Sequence, residues 1–467
     1  MRLSDASRHT CSHGGGNTGL KPSVRGNHLC LEGLDSVADL RRLGDVYGVS
    51  RGLPENYVQR PSVDGALIDS LTRDKHIVIF GSSKQGKTSL RKWNLQDNDY
   101  VVVTCSNKWT LSELHTAILK SAGFTVEKST TRSVGGESKI KAQVAGRLKT
   151  PFAELDASLG TDRGTDAATS KTEEPLELDP SDVNDVIKAL QASSFKKYVV
   201  LEDFHYLPED TQRDFSFALK AFHEGSDFSF IIVGVWLDEN RLIQYNGDLS
   251  NRVIAIDADA WAETELRQVI SLGAQLLNIT FNPTFVSDLI ASCFESVWVV
   301  QEVCYRACEI AQVFNNDHAL IEIGDGASAP ALAKEVVDTQ SARYNTFFGG
   351  FADGFMPTAL EMYRWLLLPV IVSDLRELEA GLGYSDIRRL IDRYHPSGPI
   401  NAGNLTQALN STASLQVRLS FKPLILDYNQ SRRRLDIVDK SFLIWLQHQS
   451  SDDLLSTAGL PVPLVAR

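Results

Sequence analysis

The sequence predicts a mixed α/β fold: a parallel sheet covered by helices on both faces, then a helical region, then a module of three helices and a hairpin. Three observations predict it. Short apolar runs alternate with segments of helical periodicity between residues 76 and 256, the pattern of strands buried on both faces. One of those runs leads into a glycine-bearing loop that opens a helix. Beyond about residue 346 helices give way to two strand-like runs joined by a polar turn.

A chain of 467 residues exceeds one ordinary core, so two or three domains are expected. Residues 1–45, rich in Gly, Ser, His and Arg with little periodicity, read as a disordered leader. Within it His9, Cys11, His13, His28 and Cys30 follow no common zinc-ligand spacing. The core is expected over 46–258, a helical lid and linker over 259–345, a winged-helix-like domain over 346–450, and a tail over 451–467.

Core strands are read at 76–80, 100–104, 198–201, 228–235 and 252–256, with helices from Thr88, over 111–122, after an N-cap at Ser181, and over 211–223. Residues 125–180 interrupt this rhythm with Ser, Thr, Gly and mixed charges, and read as a flexible insertion. From Trp261 to about Phe314 everything reads helical. Further helices are expected at 361–373, 385–394, 402–414 and 440–449, with a hairpin over 424–439 whose turn is Asn429-Gln430-Ser431-Arg432-Arg433-Arg434.

Gly81-Ser82-Ser83-Lys84-Gln85-Gly86-Lys87-Thr88 fits the phosphate-binding pattern G-x-x-x-x-G-K-[ST] in full, between a buried strand and a helix. Glycines let the backbone amides turn inward onto phosphate oxygens, and the helix N-terminus adds a favourable dipole. ATP with Mg²⁺ is the expected ligand, held by residues 81 to 88 and Ser89. Lys87 is assigned to the β- and γ-phosphates and the Thr88 hydroxyl to the metal. The strand Val199-Val200-Leu201 ends in Glu202-Asp203-Phe204-His205. Acids there hold the metal's water shell and polarise attacking water; Glu202 is assigned to Mg²⁺ and Asp203 to the water. His205 either orients a phosphate or fills space.

The strand-end acid pair followed by an aromatic residue and His resembles the STAND branch of AAA+-like ATPases. The layout of phosphate loop, lid and winged helix over about 50–450 also resembles initiator-type, origin-recognition-like AAA+ ATPases. The resemblance implies an arginine reaching a neighbour's γ-phosphate; Arg252, before the last core strand, is the candidate, against an ordinary strand-start arginine. It implies a sensor arginine on the helix containing 296–307, where this sequence has Trp298. It implies a polar sensor after the strand at 228–235, near Asp238, Glu239 and Asn240. Tyr57 or Arg60 could stack on adenine, or belong to a plain loop at the start of the domain. Cys304 and Cys308, one turn apart, read as core packing.

The net charge of −12 argues against wholesale coating of nucleic acid. The stretch 363–449 is the exception, with eleven Lys and Arg against eight Asp and Glu. Arg432, Arg433 and Arg434 at the hairpin tip could meet a DNA backbone, although the candidate recognition helix from Asn401 to Thr412 carries no basic residue. No apolar run has the length of a membrane span and no signal peptide opens the chain, so a cytoplasmic location with reduced thiols is expected. The sequence thus predicts an ATP-binding, ATP-hydrolysing switch whose nucleotide state controls oligomerisation or recruitment of a separate effector or DNA. The alternative is a DNA-binding loader or regulator with slow or incidental ATPase activity.

Overall fold

The computed structural model describes residues 40–49, 52–132, 138–144, 176–259, 261–356 and 358–461. Among the described residues eight strands precede the lid: β1 (His76–Phe80), β2 (Tyr100–Thr104), β3 (Phe124–Arg132), β4 (Ser138–Val144), β5 (Leu176–Leu178), β6 (Tyr198–Glu202), β7 (Phe230–Val233) and β8 (Val253–Asp257). Five of them form one parallel sheet in the order β2-β6-β7-β1-β8. Its inner strands β1 and β7 are buried along their whole length, while the edge strands β2 and β8 stay half exposed. That gradient follows from helices covering both faces but not the edges. One face packs Val78, Phe80, Leu201 and Ile232 with Leu114, Phe215 and Phe222; the other packs Ile77, Ile79 and Val200 with Leu67 and Leu90.

Two readings of the core need correction. The helix Val183–Ala192 is capped by Asp182, which accepts from the Asn184 amide, and not by Ser181. The insertion is not simply flexible: β3, β4 and β5 form an antiparallel sheet of their own. Phe124, Ile140, Ala142 and Leu178 from that sheet are buried in the core. These few apolar positions suffice because they extend an existing core and need not build one. Residues 145–175 lie outside the described residues.

The lid consists of helices Glu263–Leu276, Pro283–Ser292 and Val297–Ile310, followed by Ala329–Asp338. A short strand inside the stretch read as helical, β9 (Ile279–Phe281), pairs in parallel with β10 (Ile321–Ile323) beyond it. Cys304 and Cys308 are buried in its core. The leader boundary also shifts: a short helix Leu43–Val46 buries Leu43 and Val46 against the lid together with the following Tyr47, so regular structure is present before residue 46. Residues 1–39, with the His and Cys positions noted above, lie outside the described residues.

The C-terminal module contains helices Met362–Val372, Tyr384–Tyr394, Ala402–Asn410 and Thr412–Arg418, and a small sheet of β11 (Leu382–Gly383), β12 (Leu426–Asn429) and β13 (Arg434–Ile437) in the order β11-β13-β12. This is a winged helix. The helix expected over 402–414 is broken at Ser411. Lys440–Gln447 follows the wing, and Ser451–Thr457, expected to be tail, is a helix whose Leu454 and Leu455 are buried. Among the described residues no helix is long and apolar enough to cross a membrane.

Candidate nucleotide site

The loop 81–86 leaves β1 at the C-terminal end of the sheet and runs into the helix Lys87–Asn94. Two glycines are required by the geometry. Gly86 caps that helix at φ 79°, and Gly81 has φ 139° with Asp259 Oδ1 2.8 Å from where a Cβ would stand. Asp259 grips the start of the loop, accepting from the Ser82 amide (2.6 Å) and the Ser82 hydroxyl (2.5 Å). Lys87 is buried and donates to Gly81 O (2.9 Å) and Ser82 O. Its ammonium folds back onto its own loop, and burial pushes its pKa down to about 8 despite Asp259 and Glu202 nearby.

A cavity of about 440 Å³ opens beside the loop, in the range of small-ligand sites. Residues 83–89 form one wall, including the exposed Thr88; Glu202, Asp203 and His205 form the far end. The N-terminal segment (Gly48, Asn56, Tyr57) and the lid (Val297, Trp298, Gln301) close the other side. The structure therefore brings the phosphate loop and the acid-tipped strand into one cavity.

The two acids differ. Glu202 ends β6 and is salt-bridged to Arg91, one turn into the loop's helix, at 3.0 Å. Burial raises its carboxyl above the usual range and Arg91 pulls it back. Asp203 adopts left-handed φ 59°; burial raises its carboxyl too, against the pull of Lys422 and Lys87. A hydroxyl at Thr88 and carboxylates across the cavity are the hard oxygen donors that Mg²⁺ takes, so the residues fit that ion, with Arg91 orienting the acid assigned to it. His205 is held by the Val235 amide donating to Nδ1 (3.3 Å), and its Nε2 is buried with no hydrogen-bond partner. Burial keeps its ring neutral well into the acidic range, helped by Lys87, Arg241 and Lys422.

Several expected residues stand elsewhere or are occupied. Arg60 lines the cavity too but is largely buried, donating to Ala258 O (2.8 Å) with its guanidinium 4.1 Å from the Trp261 ring centroid. Tyr57 reaches the cavity, but its ring stacks on Trp93 at 4.9 Å and its hydroxyl donates to Asp64. The end of β7 gives the cavity only Val233, Gly234 and Val235. Asp238 instead bonds Gln244 and the wing's Ser431. Arg252 lies at the opposite end of the sheet: its carbonyl accepts from the amide of His76, at the start of β1. Its guanidinium pairs with Glu224 (2.7 Å) and bonds the Asp248 carbonyl.

Gln85, expected in the loop, also donates to Glu295 O and accepts from the Val297 amide, fastening loop to lid. Three positions were not legible as site residues: Asp259, and Asn56 and Gln301, which exchange reciprocal amide hydrogen bonds of 2.9 Å across the cavity wall. Each is a common polar residue whose partner is more than 150 positions away in sequence, so no local signal marks it.

The wing is tied to the core at its base, while residues 430–434 at its tip are exposed. Asn429 donates to Leu237 O, Ser431 to Asp238, and Arg432 lines a recess with Glu239, Asp257 and Asp259. Arg434 donates to Ala380 O and Gly381 O, and Arg433 stacks on Tyr384. Arg433 and Arg434 thus have partners within the chain, yet all three arginines remain exposed at the surface.

No protein-family model matches the sequence, and no curated protein matches it. Among solved structures, a Walker-type ATPase of Pyrococcus abyssi superposes with a TM-score of 0.50 at 10% identity, over 86% of this chain and 99% of that one. The Orc1 protein of Aeropyrum pernix in complex with DNA matches at TM-score 0.39 and 11% identity, over 89% and 98%. Cdc6p of Pyrobaculum aerophilum matches at 0.33 and 13%, over 88% and 96%. The chain has the fold of a P-loop ATPase with a C-terminal winged helix; at such identities the likeness is one of fold.

Proposed function

We propose that this chain is an ATP-binding, ATP-hydrolysing switch in which the state of the phosphate loop sets the posture of the winged helix and thereby the surface offered to a partner. One observation carries the reading: the loop that lines the nucleotide cavity is bonded directly to the winged-helix module, the Ser83 amide donating to Val438 O at 2.8 Å. A ligand that reshapes the loop acts on that bond.

In this reading the amides over residues 85–89 cradle the inner phosphates, and Lys87 leaves its own carbonyls for the β- and γ-oxygens. Thr88 and Glu202 are the residues that would hold Mg²⁺, which when bound neutralises charge across those phosphates. Asp203 orients the attacking water. A neighbouring copy or a separate effector is the partner that such a switch would control. DNA is the less favoured partner, because the chain carries a net charge of −12 and the candidate recognition helix has no basic residue, although Arg432, Arg433 and Arg434 are exposed.

Binding and turnover test the reading separately. Lys87→Ala should abolish tight ATP binding, measured by calorimetry. Asp203→Asn should keep binding while slowing phosphate release by about 10² to 10⁴. Unchanged affinity in the first variant would remove ATP from this cavity.

A further inference from the structure

The phosphate loop carries a second lysine. Lys84 sits at the loop tip in the left-handed region, φ 63°, and lines the same cavity as Lys87. Its ammonium lies 3.6 Å from the centroid of the Trp298 ring and donates to Gln340 Oε1 at 3.0 Å. Among the described residues it makes no ion pair. Asp439 and Glu302 act on it only at longer range, with Arg343 opposing them, and burial lowers its pKa. A half-buried ammonium resting on a ring face and one amide oxygen is a cation without an anion.

A ring face is worth roughly 0.5–2 kcal/mol to an ammonium, whereas a charge-assisted bond to a phosphate oxygen is among the strongest hydrogen bonds available. A phosphate arriving within reach would therefore take Lys84 from Trp298. Which phosphate follows from position. The amides at the helix opening and Lys87 surround the inner part of the cradle, while Lys84 precedes them and faces the lid and the winged-helix junction.

We propose that Lys84 is a ligand for the terminal phosphoryl group of a nucleoside triphosphate, released from Trp298 and Gln340 when the triphosphate binds. The proposal rests on the nucleotide-site reading above and adds to it a means of telling triphosphate from diphosphate. The release has somewhere to go. Gln340 Oε1 also accepts from Arg343 (3.2 Å), and Arg343 pairs with Asp439 and donates to Pro423 O (3.0 Å). Letting go of Gln340 therefore changes a network that ends in the winged-helix module.

The experiment compares affinities for the non-hydrolysable β,γ-imido analogue of ATP and for ADP, each with Mg²⁺, in the full chain and in Lys84→Ala, Lys84→Gln and Lys84→Arg. Removing the charge should weaken the triphosphate analogue about tenfold to a hundredfold more than ADP, and Lys84→Arg should restore most of the difference. Tryptophan fluorescence should change with the analogue but not with ADP, and Trp298→Phe should remove that change. Equal losses for both ligands, or no loss for either, would overturn the Lys84 assignment and leave the nucleotide site standing. A wild-type chain that binds neither ligand would overturn the site and this proposal with it.

Discussion

Burial sets the protonation of Lys87 before any nucleotide arrives. With its pKa near 8 in the free protein, the ammonium begins to lose its proton just above neutrality. Phosphates beside it would favour the charged form and raise that value. The sign follows by linkage: affinity is constant where both free and bound forms are charged, and falls as pH rises above the free value. Between pH 7 and pH 9 the dissociation constant for Mg–ATP should therefore rise about tenfold, and proton uptake should accompany binding at the higher pH. A flat profile in calorimetry would mean that the free site holds Lys87 charged throughout. The motif containing Lys87 was legible because its function depends on local spacing alone. Asp259, Asn56 and Gln301 were not, because their roles come from partners brought in by the lid and by β8.

At the scale of elements, hydrophobic runs located all five strands of the parallel sheet, since its inner strands are covered on both faces and its half-exposed edge strands are still largely apolar. The same criterion failed for 125–180. A sheet with one side on the core needs few apolar residues, and composition averaged over the whole stretch hides them. The register gives a testable distinction. Ala142 pairs with Leu176, so the chain can turn between β4 and β5 with very few residues. Replacing residues 147–173 by a short Gly/Ser turn should leave the thermal transition nearly unchanged, because closure entropy varies only slowly with loop length. Ile140→Ala, by contrast, removes a buried side chain and should cost about 2–4 kcal/mol. Denaturant titration of the two variants would reverse the assignment if the deletion proved the more damaging.

The whole molecule is joined where sequence gives no signal. Tyr206 and Val235 of the core pack with Val417, Leu424 and Val438 of the winged helix, and the buried pair Arg241–Asp427 crosses the same boundary. Docking of this kind depends on surface shape, so the winged helix could be read as a module but not placed. The position of Arg252 is informative at this scale. It stands at the start of β8, and β8 spans roughly 16 Å at about 3.3 Å per residue. The phosphate loop lies at the other end of the sheet, so Arg252 cannot reach its own nucleotide; it can act only on a neighbour's. Its present partners do not forbid that. The pair with Glu224 is solvent-accessible, and such pairs are worth about 0–1 kcal/mol. If Arg252 acts across a subunit boundary, the chain should enlarge with Mg–ATP in light scattering. Arg252→Ala should bind ATP as the parent does yet hydrolyse it about 10³-fold more slowly. Mixing Arg252→Ala with Lys87→Ala should return activity, because some interfaces then pair an intact loop with an intact arginine. A chain that stays monomeric with ATP at high concentration and still turns over at full rate would place Arg252 among the ordinary strand-start residues, with the switch working inside one molecule.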